Sequence, residues 1–271
     1  MADRLRVGFD VFRSAAQAFS ADGASFLAQA VAFNAIFAAI PLSLVLAAMF
    51  GYIYGSAEGS LYALHAIQRF APQMESLVAA SLPSVVQYRG ISGIVGLAAL
   101  IWSAKNVFGA ISYGLDRSLG IPARHFLIEA VIAVVLVPIV GIVLIVATVV
   151  PVAITYVVRF AGLESLRVVP QIASYAFSLA IVFVTSALVY TYLPNRRARW
   201  TFGIPGAIVT AIGYSVGQVA FAIYTAHANF QIYGTLSTIL AVMLWVYLVC
   251  SIFLYGAHVS ARWETQFAAT P

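Results

Sequence analysis

Charge is scarce in this chain. Only 8% of its 271 residues are Asp, Glu, Lys or Arg, where an ordinary soluble domain carries roughly a quarter. A soluble fold of this length has no means of wetting its surface with so few charges, so most soluble-enzyme readings fall at once. Lysine is almost missing: Lys105 is the single one among fourteen basic residues. Cysteine is represented by Cys250 alone, which excludes an intramolecular disulfide and any Cys-based metal cluster. The four histidines, His65, His125, His227 and His258, stand far apart and form no HExxH or Cys/His spacing. There is no Walker loop, no Gly-x-Ser-x-Gly elbow and no pair of acids within one apolar run. The expectation is a chain with no catalytic residues, no metal and no cofactor.

What the chain has is apolar sequence. Hydrophobic residues make up 63% and mean hydropathy is +0.98. That excess has to face lipid, so the fold class is all-α and polytopic, an integral membrane protein. The first apolar run is too long for a signal peptide. Six runs reach the length of about 20 residues that crosses a bilayer; they lie near 26–54, 91–113, 126–157, 170–193, 203–227 and 234–258. Pro41 interrupts the first and Pro138 and Pro151 the third, and each predicts a kink because proline removes a backbone hydrogen bond. The organisation that follows is an N-terminal segment 1–25, a transmembrane domain 26–262 and a short tail 263–271.

Two segments outside the spans have their own pattern. In the first, Leu5, Phe9, Phe12, Ala16 and Phe19 recur at helical spacing, opposite Arg6, Asp10, Arg13 and Gln17. Two readings stay open there: a solvated cap on the bundle, or a helix in the headgroup plane. Residues 55–90 keep a broken helical period, stopped at Pro72 and Pro83, and read as two short interfacial helices. No internal repeat of the inverted-transporter type is visible. Gly51/Gly55 and Gly213/Gly217 match GxxxG, read as close helix packing ahead of a dimer face.

The arginines set the orientation. Nine of them (Arg4, Arg6, Arg13, Arg117, Arg124, Arg196, Arg197, Arg199 and Arg262) flank one side of the six spans, and four (Arg69, Arg89, Arg159 and Arg167) the other. The positive-inside rule puts both termini in the cytoplasm. The same distribution accounts for the net charge of +5 without invoking nucleic acid. Arg6, Arg13, Arg196, Arg197 and Arg199 become the expected lipid-headgroup contacts. Trp200 and Trp263 read as interface anchors, and Trp102 and Trp245 as residues packed inside the bundle.

Four stretches in order carry a resemblance. They are AVAFNAIFAAIP (Ala30–Pro41), WSAKNVFGAISYGLDRSLGIP (Trp102–Pro122), YTYLPNRRARWTFGIPGA (Tyr190–Ala207) and YGTLSTILAVMLWVYLVCSIFLYGAHVSA (Tyr233–Ala261). Together they resemble the YihY/BrkB family of bacterial inner-membrane proteins, over about residues 25–262. The resemblance implies six helices, no firmly established activity, and an association with envelope biogenesis and lipid or lipopolysaccharide-precursor transport. An older ribonuclease label on that family is regarded as mistaken. The chain also departs from the family pattern: Asn34 stands where tyrosine is usual and Lys105 where a small or polar residue is usual. Gln218 stands where lysine is frequent, and His258 where glutamate is.

Depth singles out the candidate site. Lys105 lies eight residues from the expected span end at Tyr113, about 12 Å deep at 1.5 Å per residue. A charge left in lipid there costs roughly 3 kcal/mol or more. Asn106 adjoins Lys105, and Asn34, Glu129 and His258 come to the same leaflet from three other spans, so a cytoplasm-facing vestibule is expected around Lys105. In it Lys105 meets an anionic substrate group or pairs with Glu129. The functional expectation is a transporter-like inner-membrane protein handling an envelope lipid or small solute; a non-catalytic envelope scaffold is the alternative, and an enzyme the weakest. Expected partners are membrane lipids and an anionic lipid or small solute, with homo-oligomerisation left open and no nucleic acid.

Overall fold

The computed structural model describes residues 2–70, 89–122, 168–195, 200–227 and 235–267, with isolated positions between 125 and 150. Six long helices account for these segments: α1 (Ala2–Ala21), α2 (Ala24–Phe70), α3 (Arg89–Ser118), α4 (Val168–Tyr192), α5 (Trp200–His227) and α6 (Thr235–Phe267). Among the described residues there is no strand, and four helices are long and apolar enough to cross a membrane, at Gly93–Ser118, Tyr175–Tyr192, Thr201–Thr225 and Leu240–Gln266. The third expected span, 126–157, lies largely outside the described residues; its described positions, such as Ile128, Val131 and Ile142, are helical.

Glycine makes the first corner. Gly23 takes φ 64°, a left-handed conformation that a side chain resists. Its N–H bonds back to Ser20, and α2 departs at 69° to α1. α1 itself has three sides. Val11 and Ala15 are buried against Val259 of α6, and Tyr255 donates a hydrogen bond to the Phe12 carbonyl at 3.2 Å. Phe9 and Phe12 are exposed beside that packed side, and Asp10, Arg13 and Gln17 are exposed beyond them. The inward face is therefore Val11, Ala15 and Ala18, with Phe19 packed on Tyr255 and His258, while Phe9 and Phe12 point outward. Small residues bring the helix axes closer than phenylalanine allows.

α2 and α3 form the most extensive helix pair, while α6 is the hub against α5, α2 and α1. In α2 the backbone leaves helical geometry at Gly55 (φ 81°, ψ 178°), while Pro41 lies within the helix. The boundary expected at 54/55 is thus a break inside one long run of helix. A side chain at Gly55 would meet open space, so its part in a GxxxG packing motif is withdrawn. Gly213 and Gly217 do face α6, where an added Cβ would touch Ile252, which fits helix packing. The second interfacial helix expected around 77–82 lies outside the described residues.

The core sits at one end of the bundle. Leu115, Tyr190, Leu193, Phe202, Ala207 and Ala257 form its buried cluster. Around it the backbones nearly touch: a Cβ on Gly206 would collide with the Gly256 carbonyl, and one on Gly203 would come within 2.6 Å of the Ala187 carbonyl. Tyr190 shares a 2.7 Å hydrogen bond with Thr210 and donates at 2.5 Å to the Phe253 carbonyl, tying α4 to α5 and α6. Elsewhere the outer surface is aliphatic, with Ile94, Val95, Ile172, Ile212, Val216 and Val219 all exposed. Such a surface suits hydrocarbon and would be unfavourable in water.

Candidate functional site

Three chain reversals and one helix, α6, meet beside this core. The first is the Asp22–Gly23 corner. The second closes α3: Gly120 takes φ 65°, its N–H bonds to the Arg117 carbonyl, and the Ile121 N–H reaches the Asp116 carbonyl. That is the Schellman arrangement, in which a left-handed glycine lets two stranded carbonyls find donors. The third is Leu193-Pro194-Asn195, where proline stops α4. The Asn195 N–H donates to Asp116 Oδ1 at 2.7 Å and its side-chain amide to the Pro122 carbonyl at 3.3 Å. The last turns of α6 bring in His258.

Asp116 and His258 are both 1% exposed. A buried carboxylate is tolerable only with donors around it, and the Asn195 N–H is one. His258 Nδ1 lies 2.8 Å from the Leu254 carbonyl and Nε2 3.2 Å from Asp22 Oδ2. A carbonyl and a carboxylate only accept. Both ring nitrogens thus face acceptors, one on its own helix and one at the α1–α2 corner. The Phe19 ring closes over the imidazole edge-on, with centroids 5.6 Å apart.

Asp22 also faces Arg117, whose Nε lies 4.0 Å from Oδ1, and Arg117 donates to the Tyr113 hydroxyl at 3.4 Å. Between these groups opens a cavity of about 300 Å³, lined by Asp22, Tyr113, Asp116, Arg117, Gly120 and Ile121. Among the described residues no three His, Cys, Asp or Glu side chains converge as a metal site. The arrangement offers both signs of charge, hydrogen-bond donors and acceptors, and an opening at the bundle end.

The expected vestibule residues are placed differently. Asn34 donates to the Ala30 carbonyl of its own helix at 2.8 Å. The Lys105 ammonium lies 5.7 Å from the centroid of the Trp102 ring. That ring is 66% exposed, so the expectation that Trp102 packs inside the bundle is overturned. Trp102 points away from Gly96, Leu100 and Ser103, which are buried positions of the same stretch of α3. Trp245 does pack within the fold, against Phe221 and Tyr214. α3 continues to Ser118, so Tyr113 is not its end; Lys105 sits 13 residues from that end, about 20 Å along the axis. No described hydrogen bond or ion pair joins Asn34, Lys105, Asn106 and His258 to one another. Glu129, Arg196, Arg197, Arg199 and the Arg6 side chain lie outside the described residues; Arg13 is exposed. Asp22, Asp116, Arg117 and Asn195 escaped the sequence reading. The available signal was Asp116 itself, an acid in the last turn of an apolar helix.

A profile of the family described as virulence factor BrkB matches residues 15–271. A Bacillus subtilis (strain 168) protein named as ribonuclease-like, YfkH, is 27% identical over 209 residues, covering 73% of this chain and 76% of that protein. A UPF0761 membrane protein of Coxiella burnetii (strain Dugway 5J108-111) is 25% identical over 256 residues, covering 89% and 88%. One of Aeromonas salmonicida (strain A449) reaches 35% identity over 105 residues, 38% of this chain and 36% of the relative. No solved structure matches.

Proposed function

The chain belongs to the virulence factor BrkB family, and from that premise we propose a transporter-like inner-membrane protein that handles an envelope lipid or small solute. The observation carrying this reading is the cavity of about 300 Å³, charged inside, at the end of a bundle whose outer surface is apolar. A polar recess reachable from the bundle end and walled by lipid-facing helices suits a molecule leaving or entering the bilayer. The reading assigns no catalytic step, no cofactor and no nucleic acid.

Its topology is six spans with both termini in the cytoplasm, supported by the arginine distribution. The cavity then opens at the cytoplasmic end. α1 lies in the headgroup plane, with Val11 and Ala15 against α6, Phe9 and Phe12 in the acyl boundary, and Asp10 and Arg13 in water. Reporter fusions after Arg199 and Arg262 should both read cytoplasmic; a periplasmic result at either overturns the topology.

Purified full-length protein in proteoliposomes tests transport, with labelled phospholipids and small anionic solutes as probes. Protein-dependent flux of at least one probe, reduced by Arg117→Gln, is the expected result. Absence of flux across the panel overturns transport. In that event the exposed Phe9/Phe12 face of α1 favours a non-catalytic scaffold, tested by in-membrane crosslinking at Phe9.

A further inference from the structure

We propose that the cavity at the end of α3 holds the zwitterionic phosphoethanolamine head of an aminophospholipid; this rests on the lipid-handling reading above. The argument begins with the sign of the lining. Asp22, 30% exposed, presents a carboxylate and Arg117 a guanidinium, while His258 sits behind Asp22 as its partner and the Asp116 carboxylate is buried on the Asn195 N–H. A simple anion entering here meets the Asp22 carboxylate, and a simple cation meets Arg117. A zwitterion gives each wall its complement.

Arg117 has capacity to spare. A guanidinium carries five N–H donors, and its described partners, Tyr113 at 3.4 Å and Asp22 at 4.0 Å, are both distant. Its side chain is 47% exposed, so the fork that suits a phosphate oxygen pair is accessible from the cavity. Asp22 Oδ2 faces His258 and Oδ1 faces Arg117. Since a carboxylate offers about four lone-pair sites, Asp22 still has room for an ammonium donor. Phosphate and ammonium in phosphoethanolamine are joined by a two-carbon link, which matches charged groups that are near neighbours in the lining.

Size and surroundings point to a headgroup attached to a lipid. A volume of about 300 Å³ stands at the lower bound for small-molecule pockets, enough for a head and not for acyl chains. Tyr113, half-buried with its hydroxyl on Arg117, forms part of the wall, and Phe26 is exposed one turn into α2 from Asp22. A tyrosine with a wet hydroxyl and an apolar ring is the kind of side chain found at headgroup level. The site also discriminates among heads. Ethanolamine brings three N–H donors to the Asp22 carboxylate, choline brings none, and a glycerol head brings no positive charge.

The test uses full-length protein in nanodiscs of mixed phosphatidylethanolamine, phosphatidylcholine and phosphatidylglycerol, with bound lipid read by native mass spectrometry. In parallel, soluble glycerophosphoethanolamine, glycerophosphocholine and inorganic phosphate are titrated against the thermal unfolding midpoint. Expected are selective retention of phosphatidylethanolamine and about tenfold weaker lipid retention in Arg117→Gln, the equivalent of one charge-assisted contact to the phosphate. Asp22→Asn should lose the selectivity for ethanolamine itself. Because it also disturbs His258, Tyr113→Phe serves as a further lining variant, with a smaller loss expected. Equal retention of all three lipids overturns the proposal, as does preference for phosphatidylglycerol or a response to inorganic phosphate alone. Saturation by glycerophosphoethanolamine with no lipid enrichment assigns the cavity to a free zwitterion and overturns the lipid. Selective retention without flux defeats transport and leaves the site standing; flux without selective retention does the reverse.

Discussion

The α4–α5–α6 trio and the α2–α3 pair solve the same packing problem in different ways. In the trio, backbones approach until Gly206 and Gly256 have no room for a methyl group, and Tyr190, Thr210 and the Phe253 carbonyl join three helices by hydrogen bonds. In the pair, the interface is more extensive than any single one of the trio, yet its described close contacts are mostly aliphatic: Gly93 against Ala48, and Gly96 against Leu44 and Val45, with Gly90 beside the Tyr52 hydroxyl. Lipid tails compete with aliphatic contacts almost on equal terms, so area alone discriminates poorly between helix neighbours in a bilayer. Close backbone approach and buried hydroxyls discriminate well. The trio is therefore the reference frame of the molecule, and the polar cavity forms where the corner of α1–α2 and the end of α3 dock against it.

The sharpest way to break this contrast is one substitution made in both regions. Gly206→Ala drives a Cβ into the Gly256 carbonyl, and only separation of two helix backbones relieves it. Loss of about 3 kcal/mol or more is expected, with little folded protein recovered. Gly93→Ala meets Ala48 at ordinary contact distance, 3.4 Å, and should be neutral or slightly stabilising through helix propensity. Unfolding of both purified variants in detergent, followed by circular dichroism, compares them. Equal losses would erase the distinction.

Next in size is Asp116→Ala, which leaves the Asn195 N–H without its acceptor. A loss of about 1.5–3 kcal/mol follows from removing a charged hydrogen-bond partner. Asp116→Asn keeps an oxygen there and should lose less in the same unfolding assay. Tyr190→Phe comes third, at about 1 kcal/mol. It removes one hydroxyl that serves both Thr210 and the Phe253 carbonyl, and such interactions are modest in membrane bundles. The smallest loss belongs to Gly213→Ala. Its new methyl meets Ile252 Cγ2, a side-chain methyl and not backbone, so a loss of about 1 kcal/mol at most is expected. A larger loss there would mean that the trio is rigid at mid-helix too.

How far the sequence could be read is clearest in particular residues. Gly23, Gly120 and Pro194 each stop a helix for a local backbone reason, but a reading by apolar runs takes no account of the two glycines. Span ends were misplaced as well. α3 runs past Tyr113 to Ser118 and α6 past His258 to Phe267, because a helix continues while its backbone bonds are made, whatever the hydropathy. Depth brought His258 forward, which meets Asp22 beside the cavity. It also brought Lys105 forward as a vestibule residue, whereas the described contact of its ammonium is an exposed tryptophan ring on the same helix.

Composition by itself determined that this is a helical membrane protein, since an average over 271 residues survives any arrangement of them. Local spacing determined where helices turn, because turns depend on neighbouring dihedral angles. Only the tertiary structure decided which charges share a site. Asp22 and His258 are 236 residues apart in the chain, and Asp116 and Asn195 are 79 apart. Nothing in either local sequence encodes its partner. Each pair is selected by how the helices pack, and that packing is set by a few glycines and one buried tyrosine.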